Sequence, residues 1–193
     1  MGKKRWRIVG FLLMASVGRA GEPVFAEPPE LSVESIAQAC PTPRDLARFL
    51  QKRMTFQTDS QLFGKEDHWQ SPEEFLKRGS GDCEDYALLA QAVFASQGRE
   101  AYVLSLFGRD GYAHTVCVFS ERGRWRVLTQ DRLLPVRAPS LEEAASTLHP
   151  QWTWGGISER VGFRGRLVRE IQNPAPAPLT GFTSSDLENL PFY

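Results

Sequence analysis

The segment from Gly79 to Gly98 constrains the fold most. It reads Gly-Ser-Gly-Asp-Cys-Glu-Asp-Tyr-Ala-Leu-Leu-Ala-Gln-Ala-Val-Phe-Ala-Ser-Gln-Gly. Asp82 is a good N-cap and Gly98 a natural C-cap. Between them apolar side chains occupy most of the circumference, and such a helix is buried inside a domain rather than laid on its surface. Ala87 and Ala90 lie on the Cys83 face and permit close approach to a sheet. Three apolar, strand-like segments follow at once, over 101–107, 113–120 and 125–131. Gly108 and Gly111 bracket the first turn and Gly123 marks the second. The expected class is α+β, with the central helix packed on an antiparallel sheet.

The remaining elements are read around that centre. A helix is expected over 43–54, with Leu46, Phe49 and Leu50 on one face. Residues 55–70 read as a polar connection. Ser71-Pro72-Glu73-Glu74 combines an N-cap Ser, Pro at the first helical position and Glu two residues later, so a short helix starts there and stops at Gly79. Ser140 and Glu143 start another helix over 141–148. One further strand is expected within 161–171. Residues 27–33 are Pro-rich and extended, the Pro/Ala and Ser/Thr stretch over 173–193 reads as a loosely held tail, and no internal repeat is present.

The first residues read as an export signal. Lys3, Lys4, Arg5 and Arg7 precede an uncharged apolar run over 8–17, about half the ~20 residues needed to span a bilayer. Cleavage is expected after Ala26, or alternatively Ala20, and an uncleaved anchor is the competing reading. No cysteine stands at either site to carry a lipid. The domain then covers 27–172, as a monomer in the periplasm or secreted. The whole chain has 23 basic and 23 acidic residues. The signal takes five basic residues (Lys3, Lys4, Arg5, Arg7, Arg19) and one acid (Glu22), leaving 18 basic and 22 acidic, a net of −4. That balance gives no footprint for nucleic acid and no basic patch for a membrane surface. Of the three cysteines, Cys40 and Cys117 can form a disulfide in an oxidising compartment, with Cys83 left free; the alternative for Cys117 is a small core residue in a strand.

Cys83 is the candidate nucleophile. A helix N-terminus presents unpaired N–H groups and a positive dipole end, which favour a thiolate, and the preceding glycines let a substrate backbone come close. Its base is sought among His68, His114 and His149. His68 reads as a solvated neighbour, and His149 stands before Pro150 at a helix end. His114 lies on a strand with Val116 and Val118 on the same face. If the next hairpin closes on Arg122-Gly123, Glu121 pairs with Arg124, and the same register sets His114 opposite Asp131. Directly opposed side chains are about 4.5–5.5 Å apart at Cβ, close enough for a carboxylate to orient the imidazole. The Cys83 N–H is a candidate oxyanion donor, and Trp69 either adds an indole N–H or is a core residue. Asp82, Glu84 and Asp85 crowd the thiol and should raise its pKa. They either cap the helix or, as hard oxygen donors, hold calcium.

Trp69-x-Ser71-Pro72-x-Glu74-Phe75-Leu76 and Gly79-Ser80-Gly81-Asp82-Cys83-Glu84-Asp85-Tyr86-Ala87 resemble the bacterial transglutaminase-like cysteine proteinases, including the LapG-like periplasmic branch that releases biofilm adhesins. The resemblance runs from about residue 46 to 135. It implies a papain-like, transglutaminase-like core, with Cys83 as nucleophile, His114 as base and Asp131 as orienting acid. It also links the flanking acids Asp82 and Glu84 to calcium. Asp131 stands in Thr-Gln-Asp-Arg-Leu, a departure from the Leu-Asp-Asn-Leu of the family.

The expected activity is hydrolysis of a peptide bond in a protein or peptide, a cell-surface protein among the candidates, through a thioester and with no obligatory cofactor. Transfer of the acyl group to an amine uses the same triad. A non-catalytic peptide-binding module on the same fold is the competing reading from another class. Zinc-ligand spacing and the Cys-x-x-Cys-His of haem attachment are both absent.

Overall fold

The computed structural model describes residues 31–161 and 164–173. The signal expected over 1–26, and all but Asn173 of the expected tail, lie outside the described residues. Chain order is α1 (Val33–Ala39), α2 (Pro43–Arg53), β1 (Thr55–Phe56), α3 (Asp59–Phe63), α4 (Pro72–Arg78), β2 (Ser80–Gly81) and α5 (Cys83–Ser96). It continues with β3 (Ala101–Gly108), β4 (Ala113–Glu121), β5 (Arg124–Thr129), β6 (Arg132–Leu133), α6 (Leu141–Leu148), β7 (Trp152–Val161) and β8 (Arg164–Gln172). Six strands form one antiparallel sheet in the order β6-β5-β4-β3-β7-β8, and β1 and β2 make a separate parallel pair.

Period-two alternation along β3, β4 and β5 divides the core between the two faces of this sheet. Val103, Cys117, Phe119 and Leu128 face α1, α2, α4 and α5. Leu104, Val116, Val118 and Val127 face Leu141, Ala144 and Ala145 of α6 and the fully buried Trp152. Helix α5 is buried along most of its length, as its all-round apolar surface requires. Phe94 near its end packs on Phe119 with ring centroids 4.4 Å apart.

The local start and stop signals are realised. Ser71 Oγ accepts from the Glu74 N–H at 3.1 Å while Glu74 accepts from the Ser71 N–H at 2.7 Å, and Ser140 caps α6 through the Glu143 N–H. The polar connection over 55–70 is more ordered than its composition suggests, carrying β1 and α3. Helix α1, which periodicity did not reveal in so short a segment, is opened by reciprocal Ser32 and Ser35 contacts.

Two expectations are corrected. Where one strand was expected within 161–171 there is a long hairpin, β7–β8, whose first strand joins the sheet beside β3; the Gly155-Gly156 pair disguises it, because glycine has low strand propensity. Cys40 and Cys117 are separate free thiols. Each is a buried member of the core beneath α5, so Cys117 is the small core residue of the alternative reading.

Candidate active site

The thiol is placed by what precedes it. Asp85, in the first turn of α5, accepts from the Gln70 N–H at 2.8 Å, from Gln70 Nε2 at 2.6 Å and from the Asp82 N–H at 3.3 Å. Gln70 also donates to the Ser80 carbonyl and accepts from Arg78 Nε. This buried network ties the loop before α4 to the start of α5. Gly81 runs against it so closely that a Cβ there would overlap Asp85 Oδ2 and stand 2.8 Å from Gln70 Nε2. The glycine before Asp82 and Cys83 is thus a packing requirement of the helix start.

Cys83 opens α5 and its sulfur contacts Glu84 Oε2 at 3.2 Å. The backbone N–H of Thr115, the residue after His114, donates to the same sulfur. Burial, followed by the Glu84 carboxylate, pushes the thiol well above its ordinary range, and the Thr115 donor opposes them. His114 is buried on β4, and burial, with Arg132 adding to it, lowers its imidazole to about 4. The resting thiol and imidazole are therefore both neutral near pH 7.

The β4–β5 register is the one expected, from Glu121 opposite Arg124 to Cys117 opposite Leu128, with Arg122 and Gly123 at positive φ in the turn. It does not reach Asp131. Strand β5 ends at Thr129, Gln130 takes φ 48°, and Thr129 pairs with Arg132. Asp131 therefore occupies a tight turn instead of a ladder position opposite His114. It lines an open cleft of about 320 Å³ with Arg44, Arg48 and Arg126. His114 Nε2 meets Thr129 Oγ1 at 2.8 Å, a partner that only the end of the strand reveals. The Trp69 indole N–H is also committed elsewhere, donating to Asp67 at 2.9 Å with the ring 44% exposed; it is neither a core residue nor a free oxyanion donor.

The acids beside the thiol have company that the local sequence does not disclose. Ligand atoms of Asp59, Asp82 and Asp85 lie within 4.8 Å of one another, as do those of Asp59, Asp67 and Glu84. Asp59 accepts from the His68 N–H and donates its own N–H to Asp82 Oδ2. Among the described residues, Asp59 Oδ1 and Asp82 Oδ1 are buried with no hydrogen-bond partner. Burial, then Asp82, raises Glu84 to about 8. Burial raises Asp85 to about 6 against the lowering effect of Gln70, and burial raises Asp59 as well. Orphaned buried carboxylate oxygens in a hard, all-oxygen set fit a divalent cation such as calcium.

A thiol opening a buried helix that packs on an antiparallel sheet, with a buried imidazole on one of its strands, has the arrangement of a papain-like, transglutaminase-like core. Residues 29–123 match the model of the bacterial transglutaminase-like cysteine proteinases. The chain is similar to that family over those residues, just under half its length. The matched region contains Cys83 and His114 and ends before Thr129 and Asp131.

Among solved structures the chain is similar to calcium-bound LapG of Legionella pneumophila, at 20% identity and a TM-score of 0.43, over 59% of this chain and 65% of that one. The EGTA-treated form of that protein gives 19% and 0.43, over 65% and 66%. A further LapG structure from the same organism gives 19% and 0.44, over 67% and 86%. The chain thus spans a little under two thirds of the calcium-bound protein. No curated protein matches it.

Proposed function

We propose that the chain is an exported cysteine protease that cleaves a peptide bond in a protein substrate, working in the periplasm or outside the cell. The observation that carries this reading is the meeting of α5 and β4: the Cys83 sulfur accepts the N–H of the residue that follows His114. Cys83 attacks the carbonyl carbon while its proton passes to His114, so that a neutral pair becomes charged only as the reaction proceeds. The Cys83 N–H, at the first position of α5, stabilises the oxyanion. His114 then gives the proton to the departing amine as the C–N bond breaks, leaving a thioester. Water adds to the thioester with His114 as base, releasing the acid and the thiol.

Asp131 is retained as the proposed orienting acid, with Thr129 as a second group that fixes the ring. Calcium is proposed to be held by Asp59, Asp67 and Glu84, with Asp82, which groups with Asp59 and Asp85, adjoining. When bound it supplies positive charge that offsets the acids around the thiol. The mention of calcium for the Legionella protein agrees with this assignment.

The test is release of new amino termini from unfolded casein by the full chain with calcium present. Cys83→Ala and His114→Ala should abolish it. Asp131→Asn should lower it by about a hundredfold or more if that acid orients the base. Loss in Thr129→Val with Asp131→Asn unaffected would transfer the orienting role to Thr129. Growth in casein mass without new termini would indicate acyl transfer to amines. Undiminished cleavage in Cys83→Ala would refute the reading of Cys83 as the nucleophile.

A further inference from the structure

We propose that Asp110, Tyr112 and His149 form a positioning unit that holds the His114 imidazole in its working orientation. The proposal rests on the reading of His114 as the catalytic base, and it concerns residues that the acyl-transfer steps do not use.

Asp110 and Tyr112 belong to the tight connection between β3 and β4. There the Gly108 N–H donates to the Tyr112 carbonyl at 2.8 Å and the Tyr112 N–H to Asp110 Oδ1 at 3.1 Å. His149 arrives from the far end of α6, where its own N–H closes the helix on the Ala145 carbonyl. Its Nε2 lies 2.8 Å from Asp110 Oδ2, with the two side chains 9% and 5% exposed. The Tyr112 ring stacks on His149 with centroids 4.0 Å apart and planes 10° from parallel. The same ring presents itself edge-on to His114, at 6.2 Å and 69°. Gly108 permits the assembly, since a Cβ there would overlap Asp110 Oδ1 and stand 3.0 Å from His149 Nε2 and 3.1 Å from Tyr112 Cβ.

A buried histidine–carboxylate contact is weak support for stability, because desolvation offsets most of any Coulombic gain. Fixing geometry is the better account of this one. It locks a loop to the end of a helix 39 positions further along the chain (110 to 149), and the Tyr112 ring extends it towards His114. Thr129 Oγ1 meets Nε2 of the same imidazole at 2.8 Å. The imidazole is thus confined between a hydrogen bond and an aromatic edge. Rotation of the ring away from Cys83 would require Tyr112 to move, and His149 prevents that.

The test uses the full chain with ¹⁵N-labelled histidine. The His114 ring signals are assigned by their loss in His114→Ala, and Cys83 alkylation by iodoacetamide is followed in parallel by peptide mapping. Tyr112→Phe keeps the ring and should match wild type in both. Tyr112→Ala and His149→Ala should broaden or average the His114 signals and slow Cys83 alkylation by about tenfold, the loss of one positioning contact of ~1 kcal/mol or more. Unchanged His114 signals and alkylation in both alanine variants, even with a lowered Tm, would overturn the proposal and leave the cluster a structural brace. Casein cleavage that survives undiminished in His114→Ala would refute the protease reading instead. The ring signals would still decide whether Tyr112 fixes the imidazole.

Discussion

Replacing Gly81 with Ala tests how the helix start holds the thiol. Gly81 does not occupy the left-handed region, so the backbone conformation itself opposes nothing. An added methyl there ordinarily stabilises by about 0.4–1 kcal/mol by restricting the unfolded chain. Here the methyl would overlap Asp85 Oδ2 and stand 2.9 Å from Asp85 Cβ, so the carboxylate must leave the Gln70 amide groups it now accepts from at 2.6 and 2.8 Å. Hydrogen bonds to a charged group contribute about 1.5–3 kcal/mol each. Loss of both, less the gain in the unfolded state, gives a net destabilisation of about 2–5.5 kcal/mol. Urea unfolding followed by tryptophan fluorescence measures it. The collision account also predicts strong coupling: with Asp85→Ala already present, Gly81→Ala should cost less than about 1 kcal/mol. The reasoning fails if Gly81→Ala is neutral in the wild-type background. It fails equally if the cost is the same with and without Asp85.

Four further outcomes are expected. Glu84 is raised to about 8 from an unfolded value near 4.5, so its stabilising contribution is complete below the unfolded value and is lost as pH rises through about 8; without calcium, stability should fall between about pH 4.5 and 8, and Glu84→Gln should flatten that slope in a urea series. His114 is lowered to about 4 from 6.5, so stability should decline as pH falls from about 6.5 towards 4, and His114→Gln should reduce that decline in the same series. Asp59→Asn should weaken calcium binding by about tenfold or more in calorimetry, whereas equal affinity in the variant would remove Asp59 from the ligand set. Phe94→Ala, at a fully buried ring packed on Phe119, should cost about 3–5 kcal/mol of unfolding free energy with no change in metal affinity.

Much of this molecule is written in short-range chemistry. Ser71, Pro72, Glu74 and Gly79 bound α4, and Ser140 with Glu143 starts α6, because a cap is made by residues two or three positions apart. The all-round apolar character of α5 announces its burial. The Arg122-Gly123 turn sets the β4–β5 register, since in a hairpin the loop dictates every pair that follows. Cys83 and His114 could be singled out for the same reason: each carries its signal in its own helix start or strand.

The tertiary structure decided what depends on residues distant in the chain. The register correctly inferred from the turn stops at Thr129, because Gln130 at φ 48° sends the chain into β6. Asp131 consequently lines a cleft with Arg44 and Arg126 from elsewhere in the sequence. Asp59 and Asp67 join the acids at Cys83 only after the 55–70 connection folds against α5. The bracing of Tyr112 by His149 exists only once α6 has packed on the opposite face of the sheet. Local propensity acts over a few residues, whereas electrostatics and packing act between whatever the fold brings near. The sequence therefore determined the elements and the candidate nucleophile and base, and the fold decided which side chains surround them.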